Sequence, residues 1–373
     1  MINSLVAVLA GATAVSCVPW GTQNSWGNNQ ASNTVSSSGA GQTAFSFPLA
    51  NGFPTVSQAT LKQIEEAAHG SLPNSGSPTS LNDASVTVLE LIAFNEIFEV
   101  AFFTSLIQNI TSNVDGFAID SPILQRAVLN ELYAVQAQEE LHFLGANGIL
   151  SSAGKDQIQP CKYVFPSNDF DSAIRLASTF TDVVLGTLQD ALNAFATDGD
   201  SELVPLIGSV IGQEGEQNGF YRSVLHLIAS SNPFLTRSTG AFAFSALNQN
   251  FVVNGSCPNS NIIDVPIFGV LNVNTQNVAL ADQTLTFSIE SDSTDATSWS
   301  MVYINGQNLP VVEPLTNVKA SGNTINFNAF FPAATNLMDG LTIAAVTKSA
   351  GPFTSADEVA AETLFGPGLI EIN

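Results

Sequence analysis

Apolar residues recur at helical spacing in four long stretches of the chain. Residues 122–153 open on Ser121-Pro122, carry Val128, Leu132 and Val135 on one face and leave through a glycine-containing exit, which predicts an amphipathic helix. Continued by one and two turns, that stripe lands on Glu139 and His142. A carboxylate and an imidazole thus occupy positions where the pattern asks for core residues, and burying either without a partner is costly. Residues 86–110, VTVLELIAFNEIFEVAFFTSLIQNI, are apolar almost all round and predict a helix at a bundle centre. Within them Glu96 lies on the stripe Leu89, Ala93, Val100, Phe103 and Ile107, and Glu99 on the next row; at least one of the two is expected to point inward. Residues 168–196 carry the stripe Ile174, Ala177, Thr181, Val184, Leu188, Ala191 and Phe195. Residues 201–230 carry Leu203, Ile207, Val210, Glu214, Gln217, Tyr221 and Leu225, again with a polar pair three apart. Four long helices with short or moderate connections predict a four-helix bundle. A short helix after Ser57, QATLKQIEEAAHG, ends at Gly70, with serine as its N-cap and glycine as its stop.

Past Asn254 the period changes from helical to alternating. TLTFSI at 284–289, SMVYI at 300–304 before Asn305-Gly306, NTINFNA at 323–329 and LTIAAVT at 341–347 read as strands separated by turns. They predict an immunoglobulin-like β-sandwich. The fold class expected is therefore multidomain, α and β: a helical bundle over residues 45–253 followed by a sandwich over 254–373. Residues 17–44, rich in Gly, Ser, Asn and Gln, have little to bury and read as a disordered linker.

The 373 residues are 45% hydrophobic, enough for a substantial core. Nine Lys+Arg against 32 Asp+Glu give a formal net charge of -23, which argues against nucleic acid or an anionic membrane surface as partner. Residues 1–16 contain the apolar run LVAVLAGATAVS, similar to a signal peptide without its basic start and too short to span a bilayer. Secretion is the expectation, to an extracellular or cell-wall location. Of the three cysteines, Cys17 lies at the end of the leader, leaving Cys161 and Cys257 as the natural disulfide pair in an oxidising compartment, with two buried thiols as the alternative. Asn109 and Asn254 head glycosylation sequons, meaningful if the chain is secreted.

LANGFPTVS at 49–57, AHG at 68–70, LIAFNEIFEVAFF at 91–103, EELHFLGANGIL at 139–150 and the β-rich tail together resemble the secreted fungal ferritin-like proteins described as stress-response, desiccation-related or late sexual development proteins. The resemblance covers nearly the whole chain beyond residue 45. A complete ferritin-like di-metal site takes one Glu from each of two helices and Glu-x-x-His from the other two. Carried over, the first helix offers Glu96 or Glu99 and the second offers Glu139 with His142. The third has Thr181 where a carboxylate belongs, with Asp182 about 100° out of phase, and the fourth has Glu214 but Gln217 in place of histidine. The resemblance therefore implies a partly degenerate site.

Three readings of that cluster stay open: a metal-free hydrogen-bonded network using Thr181, Glu214 and Gln217; a mononuclear site for Fe or Mn, metals suited to oxygen ligands with one imidazole; and a two-metal centre using Asp182. The leading expectation is a secreted, non-enzymatic protein without a cofactor, with a role in fungal development, stress tolerance or the cell-surface matrix. Its alternatives are a redox or iron-sequestering protein with one metal site, and a carbohydrate- or protein-binding module working through the sandwich, by cell-wall attachment or self-association. His69 and His226 read as surface or packing residues. No hydrolase, Walker or dinucleotide pattern occurs in a convincing context.

Overall fold

The computed structural model describes residues 44–292, 296 and 298–373. The leader expected at 1–16, Cys17 and the linker up to residue 43 lie outside them.

Local signals start and stop the bundle helices. Helix α1 (Gln58–Ala67) begins at Ser57, whose hydroxyl accepts from the Thr60 amide at 3.1 Å. Helix α2 (Asp83–Thr111) is followed by α3 (Pro122–Ser152), where Ser121 caps the first turn ahead of the proline. Helix α4 (Phe170–Asp198) starts on a reciprocal capping box between Asp169 and Ser172 and ends at Gly199, whose φ of 99° needs a glycine. The fourth helix is shorter than its apolar stripe suggests. A single 3-10 turn at Ser201–Leu203 precedes α5 (Val204–Val224), and Leu225 is its cap rather than a member. Helices α2 and α3 pair, as do α4 and α5, and α2 also packs on α4.

A further helix, α6 (Gly240–Asn250), lies where no helix was expected. Phe242 and Ala243 pack with sheet residues Val302 and Ile343, while Phe244 and Leu247 join the bundle core. With both flanks buried it has no polar face, so its sequence carries no amphipathic period.

Among the described residues, eight antiparallel strands form two four-stranded sheets. One has the order β1 (Asn272–Val273), β2 (Asp282–Glu290), β6 (Thr324–Pro332), β5 (Thr316–Ser321); the other has β4 (Val311–Pro314), β3 (Ser300–Asn305), β7 (Gly340–Thr347), β8 (Thr363–Ile372). That order matches an immunoglobulin-type sandwich, A-B-E-D against C′-C-F-G. Its interior is built from Leu285, Phe287 and Phe327 of the first sheet and Met301, Tyr303 and Val346 of the second. Two short helices, α7 (Ala333–Asn336) and α8 (Ala356–Glu362), complete the described chain.

Bundle and sandwich belong to one compact unit. Strands β3 and β7 are buried along their whole length. One face meets the opposite sheet; the other meets α6, α8 and Val183 of α4. Polar contacts reinforce the joint: Thr236 donates to the Leu341 carbonyl at 2.5 Å, and the Gln249 amide donates to the Phe268 and Gly366 carbonyls, each at 2.9 Å. At Gly186 of α4 a Cβ would collide with the backbone at Thr236 and Ser238, so glycine permits the close approach of that connection.

Cys161 and Cys257 form a disulfide. It ties the α3–α4 connection to the segment after α6, where Tyr163 bridges Phe45 on one side and Val252 on the other. The two cysteines are 96 residues apart, and cross-links over long loops remove much unfolded-state entropy. The Cys161→Ala/Cys257→Ala variant is expected to lose about 2–4 kcal/mol of unfolding free energy. An unchanged denaturant midpoint would refute this.

Candidate metal centre in the bundle

Helical spacing brings four groups from three helices to one point. Glu96 comes from α2, Glu139 and His142 from α3, three residues apart on one face, and Glu214 from α5. One ligand atom from each lies within 4.8 Å of every other. The three carboxylates are at most 1% exposed, and the imidazole side chain is 16% exposed. His142 Nδ1 sits 2.9 Å from Glu139 Oε2, 3.4 Å from Glu96 Oε2 and 3.8 Å from Glu214 Oε1.

Around this core the remaining polar groups are fixed by hydrogen bonds. Gln217 donates from Nε2 to Glu139 Oε1 at 2.5 Å and to Gln138 Oε1 at 3.2 Å, and its own Oε1 accepts from the Tyr221 hydroxyl at 3.3 Å. Gln213 donates to the same Gln138 oxygen at 2.8 Å. Glu99 is fully buried beside the cluster and accepts from Asn95 Nδ2 at 2.8 Å. Both glutamates of α2 thus face inward, with Glu96 in the ligand set and Glu99 behind it. By contrast, neither carboxylate oxygen of Glu214 has a hydrogen-bond partner, and the same holds for one oxygen each of Glu96 and Glu99.

Electrostatics follow from crowding acids in a dry interior. Burial pushes Glu96 up to about 8, with the neighbouring His142 pulling back. Glu99 and Glu214 are raised well above the ordinary carboxyl range, by burial first and then by the other carboxylates. Burial opposes charge on Glu139 too, yet the His142 imidazolium and the hydrogen bonds it receives hold it below its ordinary value. His142 is raised well above its ordinary value because Glu139 and then Glu96 outweigh its desolvation. Without a cation the cluster is thus a Glu139–His142 ion pair surrounded by protonated acids.

Residues on α4 complete the picture by what they lack. Thr181 is fully buried with an unpartnered hydroxyl, and a neutral hydroxyl is no substitute for a carboxylate ligand. Asp182 belongs to a different group: it accepts from Asn218 Nδ2 at 2.9 Å, and it feels Arg222 and Glu371. The 100° offset read from its position carries it away from the cluster. His69 and His226 are exposed, each with a positive φ. Asn254 lies on an exposed turn, whereas Asn109 is half-buried in the last turns of α2. Nothing in the residue pattern marks Gln138, Gln213 or Asn95 as neighbours of the site. Tyr221 stands one turn beyond Gln217 on the same stripe, where it reads as core.

Among the described residues no helix is long and apolar enough to cross a membrane. No curated protein matches the chain. Residues 84–227, the span of α2 through α5, match the family model of the ferritin-like domain, and that part of the chain is a ferritin-like domain, followed by a β-sandwich.

Proposed function

We propose that this protein is a mononuclear metal-binding ferritin-like protein, holding one Fe- or Mn-class divalent ion through Glu96, Glu139, His142 and Glu214. The observation that carries this reading is Glu214, whose two buried carboxylate oxygens have no hydrogen-bond partner. Ionised, it is a buried charge whose neighbouring imidazole, His142 at 3.8 Å, is already paired with Glu139 at 2.9 Å; protonated, its proton has no acceptor. A cation satisfies it in a way the protein groups do not. Three carboxylates and an imidazole form a donor set suited to Fe(II) and Mn(II). Such an ion supplies one-electron redox chemistry or is simply sequestered there. Gln217 orients Glu139 by its 2.5 Å hydrogen bond, and Asn95 steadies Glu99 behind the ligands. With Thr181 and Gln217 in place of a carboxylate and a histidine, a second metal is left with Glu99 as its added donor and no second imidazole, so the two-metal oxidase reading is set aside. The resemblance in EELHFLGANGIL and the disulfide support an extracellular setting, and the resemblance alone supports a role in fungal stress or development.

The test is metal analysis after anaerobic loading with Fe(II) or Mn(II) and desalting. About one ion per chain is expected, falling below about a tenth in Glu214→Gln. Less than about a tenth of an equivalent in the unmodified protein overturns the proposal in favour of the metal-free network. Uptake must displace protons from Glu96, whose carboxyl is pushed up to about 8, so affinity is expected to rise with pH up to that value, by roughly tenfold per unit for each proton released.

A further inference from the structure

We propose that a cleft between the bundle and α8, separate from the metal cluster, binds a small organic amine with its apolar body inside and its ammonium between Asp190 and Asp357. The cleft has a volume of about 340 Å³ and lies where α2, α4, α6 and α8 meet. Its walls are largely aliphatic, from Val88, Leu91 and Ile92 of α2, Ala191 of α4 and Val265. Size and lining suit a ligand of one ring or a short alkyl chain.

The rim has the opposite character. Asp190 and Asp357 lie together at the rim, close enough for each to feel the other's charge, beside Gly240 at the start of α6. The nearest counter-charge is Arg237, whose Nη2 stands 3.9 Å from Asp357 Oδ2 on a half-exposed surface. A contact that long and that wet leaves the acid pair poorly compensated. Burial first, and then Asp357, push Asp190 up to about 6, the direction expected of an acid short of a close cation. Thr239, also in the wall, is 4% exposed, and its hydroxyl has no hydrogen-bond partner. Two carboxylates and this hydroxyl offer three acceptors, matching the three N–H donors of a primary ammonium. A neutral alcohol would leave the acid pair uncompensated, and an organic anion would be repelled by it.

Phenethylamine, 2-phenylethanol and 3-phenylpropanoate share one body and differ in the head group, and titration calorimetry or ligand-observed NMR on the full chain compares them. The amine is expected to bind with Kd below about 1 mM, and the alcohol and acid at least about tenfold more weakly. Asp357→Asn, at a half-exposed position, is expected to weaken the amine by at least about tenfold. Ala361→Phe, which fills the cleft from its exposed side, is expected to abolish binding while leaving the thermal midpoint unchanged. The proposal is overturned if the amine shows no saturable binding at about 10 mM. It is equally overturned if the alcohol binds as well as the amine, or if neither substitution changes the affinity.

Discussion

Glu139→Ala is expected to destabilise the metal-free protein by about 3–5 kcal/mol and to empty the metal site. Glu139 is the acceptor on which the cluster converges: Gln217 Nε2 donates to one of its oxygens at 2.5 Å and His142 Nδ1 faces the other at 2.9 Å. Its removal leaves the Gln217 amide with Gln138 alone, at 3.2 Å, and the imidazole with Glu96, at 3.4 Å, as its nearest remaining carboxylate. Losing one partner of a buried charged pair costs far more than the pair is worth in net terms. Denaturant unfolding in chelator measures the loss, and a change under about 1 kcal/mol would mean that the cluster behaves as a solvated surface group. The pH dependence supplies an independent check. Glu96, Glu99 and Glu214 have folded-state values above their unfolded ones, so the folded state holds the extra protons. Their stabilisation is complete below the ordinary carboxyl range and is lost as pH rises, through about 8 for Glu96. His142, also raised, acts in the same sense from its ordinary value upward. Glu139 is the exception: it is lowered, so its contribution is present above the ordinary carboxyl value and lost below it. The melting temperature of metal-free protein should therefore fall from pH 5 to pH 8. Bound metal replaces those protons, so the loaded protein should decline less steeply, keeping only the share that comes from raised acids outside the cluster such as Glu90, Asp182 and Asp190.

Helical periodicity exposed the site because a stripe that must be apolar is broken only where something else compensates. That logic located Glu139, His142, Glu214 and Gln217, each on a helix with a defined polar face. It could not choose between Glu96 and Glu99, since α2 is buried on nearly every side and its stripe has no outside to define an inside. The same physics hid α6, wedged between bundle and sheet with apolar residues on both flanks. Strands β2, β3, β6 and β7 were legible as alternating stretches between turns, although β3 and β7 are buried at every position, whereas β5 is exposed at all six positions and offers no alternation. Strand β8 is interrupted by Gly366 and Pro367, residues that usually end a strand. The partners of Asp182 were out of reach for another reason. Arg222 is on another helix and Glu371 on the last strand, and their meeting depends on how the sandwich docks, which no local pattern encodes.

Phe98→Ala is expected to cost about 3–5 kcal/mol, an effect as large as that of Glu139→Ala but of different origin. Phe98 is fully buried in α2. Its ring centroid lies 4.7 Å from that of Phe251 after α6, 5.2 Å from Phe180 of α4, and 6.0 and 6.2 Å from Tyr163 and Phe165 in the connection held by the disulfide. One side chain thus joins two bundle helices to the α3–α4 connection and to the segment that leads from α6 to the sandwich. Truncation loses the transfer free energy of the ring and leaves a cavity that cannot close, because its walls come from four separately anchored parts of the chain. Phe98→Leu refills much of that volume and should cost clearly less. Phe98 also stands two residues after Glu96, about 200° of helix round from it, so its ring points away from the ligand cluster. Below its lowered melting temperature the Phe98→Ala protein should therefore bind the same amount of metal per chain as the unmodified protein. A loss of metal in step with stability would show that the aromatic core and the ligand set are one cooperative network. A cost under about 1 kcal/mol would show that the ring cluster does not hold the bundle together.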